Sequence, residues 1–142
     1  MNEIRTFTCR AVLFDLDGTL IDSGERIRRL WQWWAERSGV DYQSLLGIIL
    51  GRTAVETIRM VAPHLVAEDE MEALENEEVS DMRDVRLYPG ALQLLNHLDG
   101  NSWAIVTSGS DRVANARIGH VGLPRPPVLI TADQIREGKP AP

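Results

Sequence analysis

Arg10-Ala11-Val12-Leu13-Phe14-Asp15-Leu16 (residues 10–16) is an apolar run that stops at the turn Asp17-Gly18-Thr19. It is too short for a helix and is bounded by turn residues, which predicts a buried strand. Two further runs lie toward the C-terminus, at 102–107 (SWAIVT) and 127–131 (PVLIT). A helix is predicted before each. The first follows Tyr88-Pro89-Gly90, with Pro suited to a first turn and Ala91, Leu92, Leu95 and Leu98 facing inward. The second spans 111–119 and begins at Ser110 or Asp111. Strands alternating with helices in this way pair in parallel, so the fold class is α/β, with a Rossmann-like parallel sheet as its core.

The stretch between the first strand and Tyr88 has a different period. Asp22 followed by Glu25 has capping-box spacing, and Ile27, Leu30, Trp31, Trp34 and Ala35 recur three and four residues apart. Gly39 ends that helix, and Asp41 opens a second holding Leu45, Leu46, Ile49 and Leu50, closed by Gly51. Thr53-Ala54-Val55-Glu56 is a further capping box, opening a helix with Ile58 and Val61 that Pro63 terminates. A fourth helix carries Met71, Leu74, Val79 and Met82. The expected organisation is therefore a helical unit over 22–85 inserted into a core made of 1–21 and 86–142.

Composition bounds what such a chain can do. Its 142 residues are 44% hydrophobic and 25% charged, the balance of a soluble globular protein able to bury one real core. No apolar run is long enough for a bilayer and no basic-then-apolar leader opens the chain, so no membrane partner is expected. The lone Cys9 cannot form an internal disulfide, which fits a reducing, cytoplasmic setting, and its expected role is packing. The net charge of −6 argues against nucleic acid. Segment 68–84 alone sums to −8, leaving +2 elsewhere, so an anionic substrate fits the rest. Its acids are expected on a solvated helix face. His64, His97 and His120 are scattered, without metal-ligand spacing.

Asp15 and Asp17 carry the strongest chemical signal. Two carboxylates at the end of a parallel strand lie where open α/β sheets bind ligands. Asp-x-Asp by itself also fits an ordinary strand-to-turn junction in which Asp caps the turn. The full stretch 12–20 (VLFDLDGTL) favours chemistry. Like charges this close repel unless they share a cation or a proton. A hard cation such as Mg²⁺ relieves that conflict and also takes a phosphate oxygen. One carboxylate can then attack phosphorus while the other exchanges a proton with the leaving oxygen and with water. Gly18 allows close backbone approach.

Asp15-Leu16-Asp17-Gly18-Thr19-Leu20 resembles the first motif of the haloacid dehalogenase superfamily. The resemblance implies Asp15 as nucleophile and Asp17 as acid/base, with the Asp15 carboxylate and the Asp17 carbonyl holding Mg²⁺. An Asp at the second position implies a phosphatase or phosphomutase. Thr107, ending the strand Trp103-Ala104-Ile105-Val106, matches the second motif, where the hydroxyl and the N–H groups of Ser108 and Gly109 would hold a phosphoryl oxygen. Taken alone, Thr107 also reads as a strand-end cap. Lys139 in Gly138-Lys139-Pro140-Ala141-Pro142 matches the third motif, a cation that neutralises carboxylate and phosphate. The fourth motif, an acidic pair after another strand, has no counterpart before Pro142. The favoured expectation is a fragment of a longer protein, with part of the core missing and the first strand left as an edge. A natural truncation with impaired metal binding is the alternative.

By the same resemblance the helical insert is a small cap, which favours small soluble substrates. Arg52 in Gly51-Arg52-Thr53 would touch a sugar or a second anionic group, against a solvated alternative. Trp31 and Trp34 are expected in the core of the cap, and Trp33 at its seam. The combined expectation is a monomeric Mg²⁺-dependent phosphatase of small sugar phosphates working through an aspartyl-phosphate. A phosphomutase like β-phosphoglucomutase and a non-catalytic phosphate-binding domain are the alternatives.

Overall fold

The computed structural model describes residues 6–49 and 52–139. Three strands form a parallel sheet: β1 (Val12–Phe14), β4 (Trp103–Val106) and β5 (Leu129–Ile130). They lie side by side in the order β1-β4-β5. Phe14 is in register with Ile105, and Val106 with Ile130. Helix α5 (Ala91–His97) precedes β4, and α6 (Asp111–Val121) connects β4 to β5. The α/β class with a parallel sheet is therefore as expected. Strand β1 is the sheet edge, and Leu13 on it is 70% exposed.

Between β1 and α5 the chain makes α1 (Gly24–Ser38), α2 (Tyr42–Leu45), α3 (Ala54–Val61) and α4 (Ala67–Ser80). It leaves and returns through two short strands that the sequence does not announce, β2 (Ile21–Asp22) and β3 (Arg86–Leu87). These pair antiparallel, Ile21 opposite Leu87 and Asp22 opposite Arg86. The outgoing and incoming chain thus run as one ribbon. The expected positions Leu50 and Gly51 of the second helix lie outside the described residues, and α2 itself is a single turn, capped by the Asp41 carboxylate.

Apolar side chains gather in two clusters. One, built on the sheet, contains Leu16, Ile21, Val85, Leu95, Trp103, Ile105 and Ile118. The other holds Leu30, Trp31, Trp34, Leu45, Ile58 and Leu74 from the four helices. Trp31 and Trp34 meet edge to face, with ring centroids 5.4 Å apart, a geometry the ring quadrupoles favour. The indole N–H of fully buried Trp34 donates to Glu70 Oε2 at 2.8 Å, so no buried donor is stranded there. Trp33 is half-buried, with the Arg37 guanidinium 5.5 Å over its ring.

Three local expectations change. Helix α1 starts one residue later than the Asp22 cap implies, with Ser23 at the N-cap and no side-chain cap bond, because the Ser23 hydroxyl is used elsewhere. Helix α5 starts after Gly90, which takes φ 89° and leaves Pro89 outside the first turn. Cys9 is exposed rather than packed. It precedes β1, where the chain has not yet entered the core. By contrast the Thr53/Glu56 capping box forms as read, with Glu56 N–H donating to Thr53 Oγ1 at 3.2 Å and Thr53 N–H to Glu56 Oε2 at 2.9 Å.

Candidate active site

Parallel pairing brings the chemistry to one end of the sheet. Because Phe14 is in register with Ile105, Asp15 just beyond β1 lies beside Val106 and Thr107 at the end of β4. Lys139 arrives from the other end of the sequence. Its Nζ donates to Asp15 Oδ1 at 2.7 Å and to the Val106 carbonyl at 2.9 Å, so one ammonium spans both strand ends. The Asp15 and Lys139 side chains remain 43% and 35% exposed, open to a ligand.

Thr107 is buried and accepts from the Gly109 N–H at 3.1 Å. That bond occupies a lone pair and leaves the hydroxyl proton to be donated. It also commits the Gly109 N–H, so of the expected phosphate donors this one is already turned onto Thr107. Gly18 takes φ 78°, a left-handed conformation that glycine adopts without penalty. A Cβ there would meet no protein atom within 4 Å, so within the chain itself the glycine serves the turn. The turn is tight: the N–H groups of Leu20 and Ile21 both reach the Leu16 carbonyl, at 3.0 and 3.1 Å.

A cavity of about 240 Å³ lies above this strand end. Asp15, Asp17, Gly18, Thr107, Ser108, Gly109 and Lys139 form its polar floor, while Ile27, Trp31, Ile49 and Met71 give it apolar walls. Arg52 lines it too, with its side chain exposed. Every site residue expected from the sequence therefore borders one cavity.

A sequence profile of the haloacid dehalogenase-like hydrolases matches residues 9–142. The chain belongs to that family. Hexitol phosphatase A of Escherichia coli (strain K12) is 42% identical over 139 residues, covering 94% of this chain and 64% of that protein. Glycerol-1-phosphate phosphohydrolase 2 of Saccharomyces cerevisiae is 32% identical over 137 residues, covering 93% of this chain and 55% of its own length. The chain thus spans less than two thirds of both relatives. Among solved structures, CbbY from Rhodobacter sphaeroides in complex with xylulose-(1,5)bisphosphate superimposes with a TM-score of 0.76 at 26% identity, over 94% of this chain and 68% of that one.

Against this haloacid dehalogenase-like framework, three side chains that sequence reasoning missed surround Asp17. Ser23 Oγ donates to Asp17 Oδ1 at 2.6 Å, and Arg117 lies 2.6 Å from Oδ2. Arg117 in turn pairs with Glu78 of α4. Glu78 is buried, which corrects the expectation that the acids of 68–84 form a wholly solvated face. Burial pushes the Glu78 carboxyl up from its ordinary value, opposed by the charge of Arg117. No local signal could have found it, since Glu78 stands among like residues and its partner lies 39 positions away.

Among the described residues no group of three or more His, Cys, Asp or Glu could hold a metal. The half-exposed Asp15 carboxylate is an oxygen donor of the kind Mg²⁺ takes. That ion takes few protein oxygens and completes its shell with water and substrate phosphate. The Asp17 carboxylate, held by Ser23 and Arg117, is already engaged.

Proposed function

We propose that this chain carries the nucleophile of a Mg²⁺-dependent phosphatase that hydrolyses small sugar phosphates through an aspartyl-phosphate on Asp15. The observation that carries this is the Lys139–Asp15 contact, 2.7 Å across 124 residues of sequence, on the floor of a cavity with apolar walls. Relatives named for hexitol phosphates and glycerol-1-phosphate support the substrate class. Residues 22–85 act in this reading as a cap that closes on the substrate and excludes water.

The substrate phosphate sits between Lys139, the Thr107 hydroxyl and the loop of Ser108 and Gly109. An oxygen of Asp15 attacks phosphorus, the bond to the sugar oxygen breaks, and Asp17 gives that oxygen a proton. Water then attacks the phosphoryl group, Asp17 takes a proton back, and the Asp15–phosphorus bond breaks to release inorganic phosphate. Mg²⁺, which the Asp15 carboxylate and the Asp17 carbonyl would hold, would supply positive charge to offset the transferring phosphoryl group. Arg52, exposed at the cavity rim, contacts the sugar end. The Ile27, Trp31, Ile49 and Met71 walls exclude water once the substrate is seated. The reading places the protein in the cytoplasm, acting as a monomer on soluble esters, where the exposed Cys9 thiol stays reduced.

The test is Mg²⁺-dependent release of inorganic phosphate from a panel of sugar phosphates, with Asp15→Asn as control. Release by the parent chain and none by Asp15→Asn is expected. Near-normal turnover in Asp15→Asn rules out the nucleophile. Isomerised sugar phosphate in place of free phosphate would instead mark a phosphomutase.

A further inference from the structure

Arg117 is 4% exposed, yet it borders the cavity. Burying a guanidinium costs several kcal/mol unless its charge is met. Here two carboxylates meet it: Asp17 at 2.6 Å in front, and Glu78 behind. With Ser23 on the other oxygen of Asp17, both oxygens are held and the carboxylate plane is fixed from two sides. Helix α4 is the sole source of Glu78, and α6 of Arg117, so the clamp joins the inserted helices to the catalytic turn.

We propose that Arg117, backed by Glu78, is a positioning residue that aims Asp17 at the leaving-group oxygen. The proposal rests on the phosphatase reading of Asp17. Glu78 anchors the far side of Arg117, so the guanidinium is itself fixed and sets the direction of the carboxylate it touches. A buried ion pair that only tied α4 to α6 would not need to touch Asp17, nor would Ser23 give up its helix cap to do so.

Leaving-group chemistry separates positioning from plain support. A sugar alkoxide leaves poorly without a proton, whereas p-nitrophenolate leaves without one. The ratio kcat/KM reports events through transfer of phosphorus to Asp15, the step that needs the proton. The variant to use replaces both buried partners, Arg117→Met with Glu78→Met, because an apolar pair of similar size is tolerated where one stranded charge is not.

The expected result is a loss of about 100-fold in kcat/KM on a hexitol phosphate, within the range of general acid catalysis, and less than about tenfold on p-nitrophenyl phosphate. Equal losses on both esters, or no loss on either, overturn the proposal. A second measurement needs no turnover. Asp17→Asn is combined with the double variant in a cycle of urea-unfolding equilibria. A coupling of at least about tenfold between Asp17 and the clamp, about 1.4 kcal/mol, is expected. Additive effects overturn the proposal. Should the parent chain release no phosphate from any ester, the phosphatase reading falls, and the cycle alone decides whether Arg117 holds Asp17. Should the double variant fail to fold, Arg117→Lys is carried through both measurements under the same criteria.

Discussion

Replacing Lys139 by Met keeps the aliphatic stem and removes the ammonium, and the structure sets different magnitudes for its two consequences. The Lys139 and Asp15 side chains are 35% and 43% exposed, so their ion pair is hydrated and screened. Pairs of this kind contribute about 1 kcal/mol or less to stability. Turnover is another matter. A phosphoryl group entering beside Asp15 brings further negative charge to the point where the ammonium lies 2.7 Å from the carboxylate. A preorganised group that meets developing charge there accounts for roughly 10²–10³ in rate, about 2.7–4 kcal/mol. The urea midpoint of Lys139→Met should therefore move little, while kcat/KM on a hexitol phosphate falls by about 100-fold or more. The assay pairs equilibrium unfolding with phosphate release on the same preparation. A folded Lys139→Met that keeps kcat/KM within about tenfold refutes the reasoning and returns Lys139 to a solvated loop. A stability loss above about 3 kcal/mol refutes its other half, the hydrated ion pair.

Three further outcomes follow from single features. Gly18→Ala should lose about 1–2 kcal/mol in urea unfolding through left-handed backbone strain alone, because the added Cβ meets nothing within 4 Å; an unchanged midpoint would contradict the φ of 78°. The Glu56 carboxyl is held below its ordinary value of 4.5, chiefly by the Thr53 N–H and with help from the Gly138 N–H. Its charged form is thus favoured on folding, so this stabilisation is complete above 4.5 and fades as pH falls through the lowered value. The gap in melting temperature between parent and Glu56→Gln should accordingly be constant near neutrality and close in acid; a gap that widens in acid reverses the sign. Trp34→Phe should cost about 1–3 kcal/mol, since it leaves a gap in the fully buried site beside Trp31 and removes the bond to half-buried Glu70; urea unfolding reads the change, and a shift under about 0.5 kcal/mol would contradict both losses.

Features set by short-range pattern were legible in the sequence. Strands β1, β4 and β5 reveal themselves as apolar runs closed by turn residues, and α1 by a stripe ending in buried Trp34 and Ala35. The Thr53 box needs only a hydroxyl and a carboxylate three apart. Asp15, Thr107 and Lys139 could be picked out because each ends a readable strand or closes a motif. What stayed hidden depends on long-range partners. Strands β2 and β3 have two residues each, too few for a period, and exist because the chain must leave and return at one place. Ser23 has the composition of a cap, but the nearby Asp17 carboxylate competes for its hydroxyl and wins. Glu78 and Arg117 look like surface residues until α4 and α6 are packed together.

The cavity is walled by the helical cluster, and beside it the helices are tied by ions: Arg117 with Glu78, Arg26 close to Glu77, and Arg29 to Asp81 and Asp84. A joint made of grease resists opening because water must wet it. A joint made of charges trades one partner for a hydrating shell, but salt screens only what solvent reaches: the Arg29, Asp81 and Asp84 side chains are 27%, 28% and 29% exposed, whereas Arg117 and Glu78 are buried. Raising the ionic strength should therefore weaken the Arg29 pairs first and leave the Arg117–Glu78 contact almost untouched.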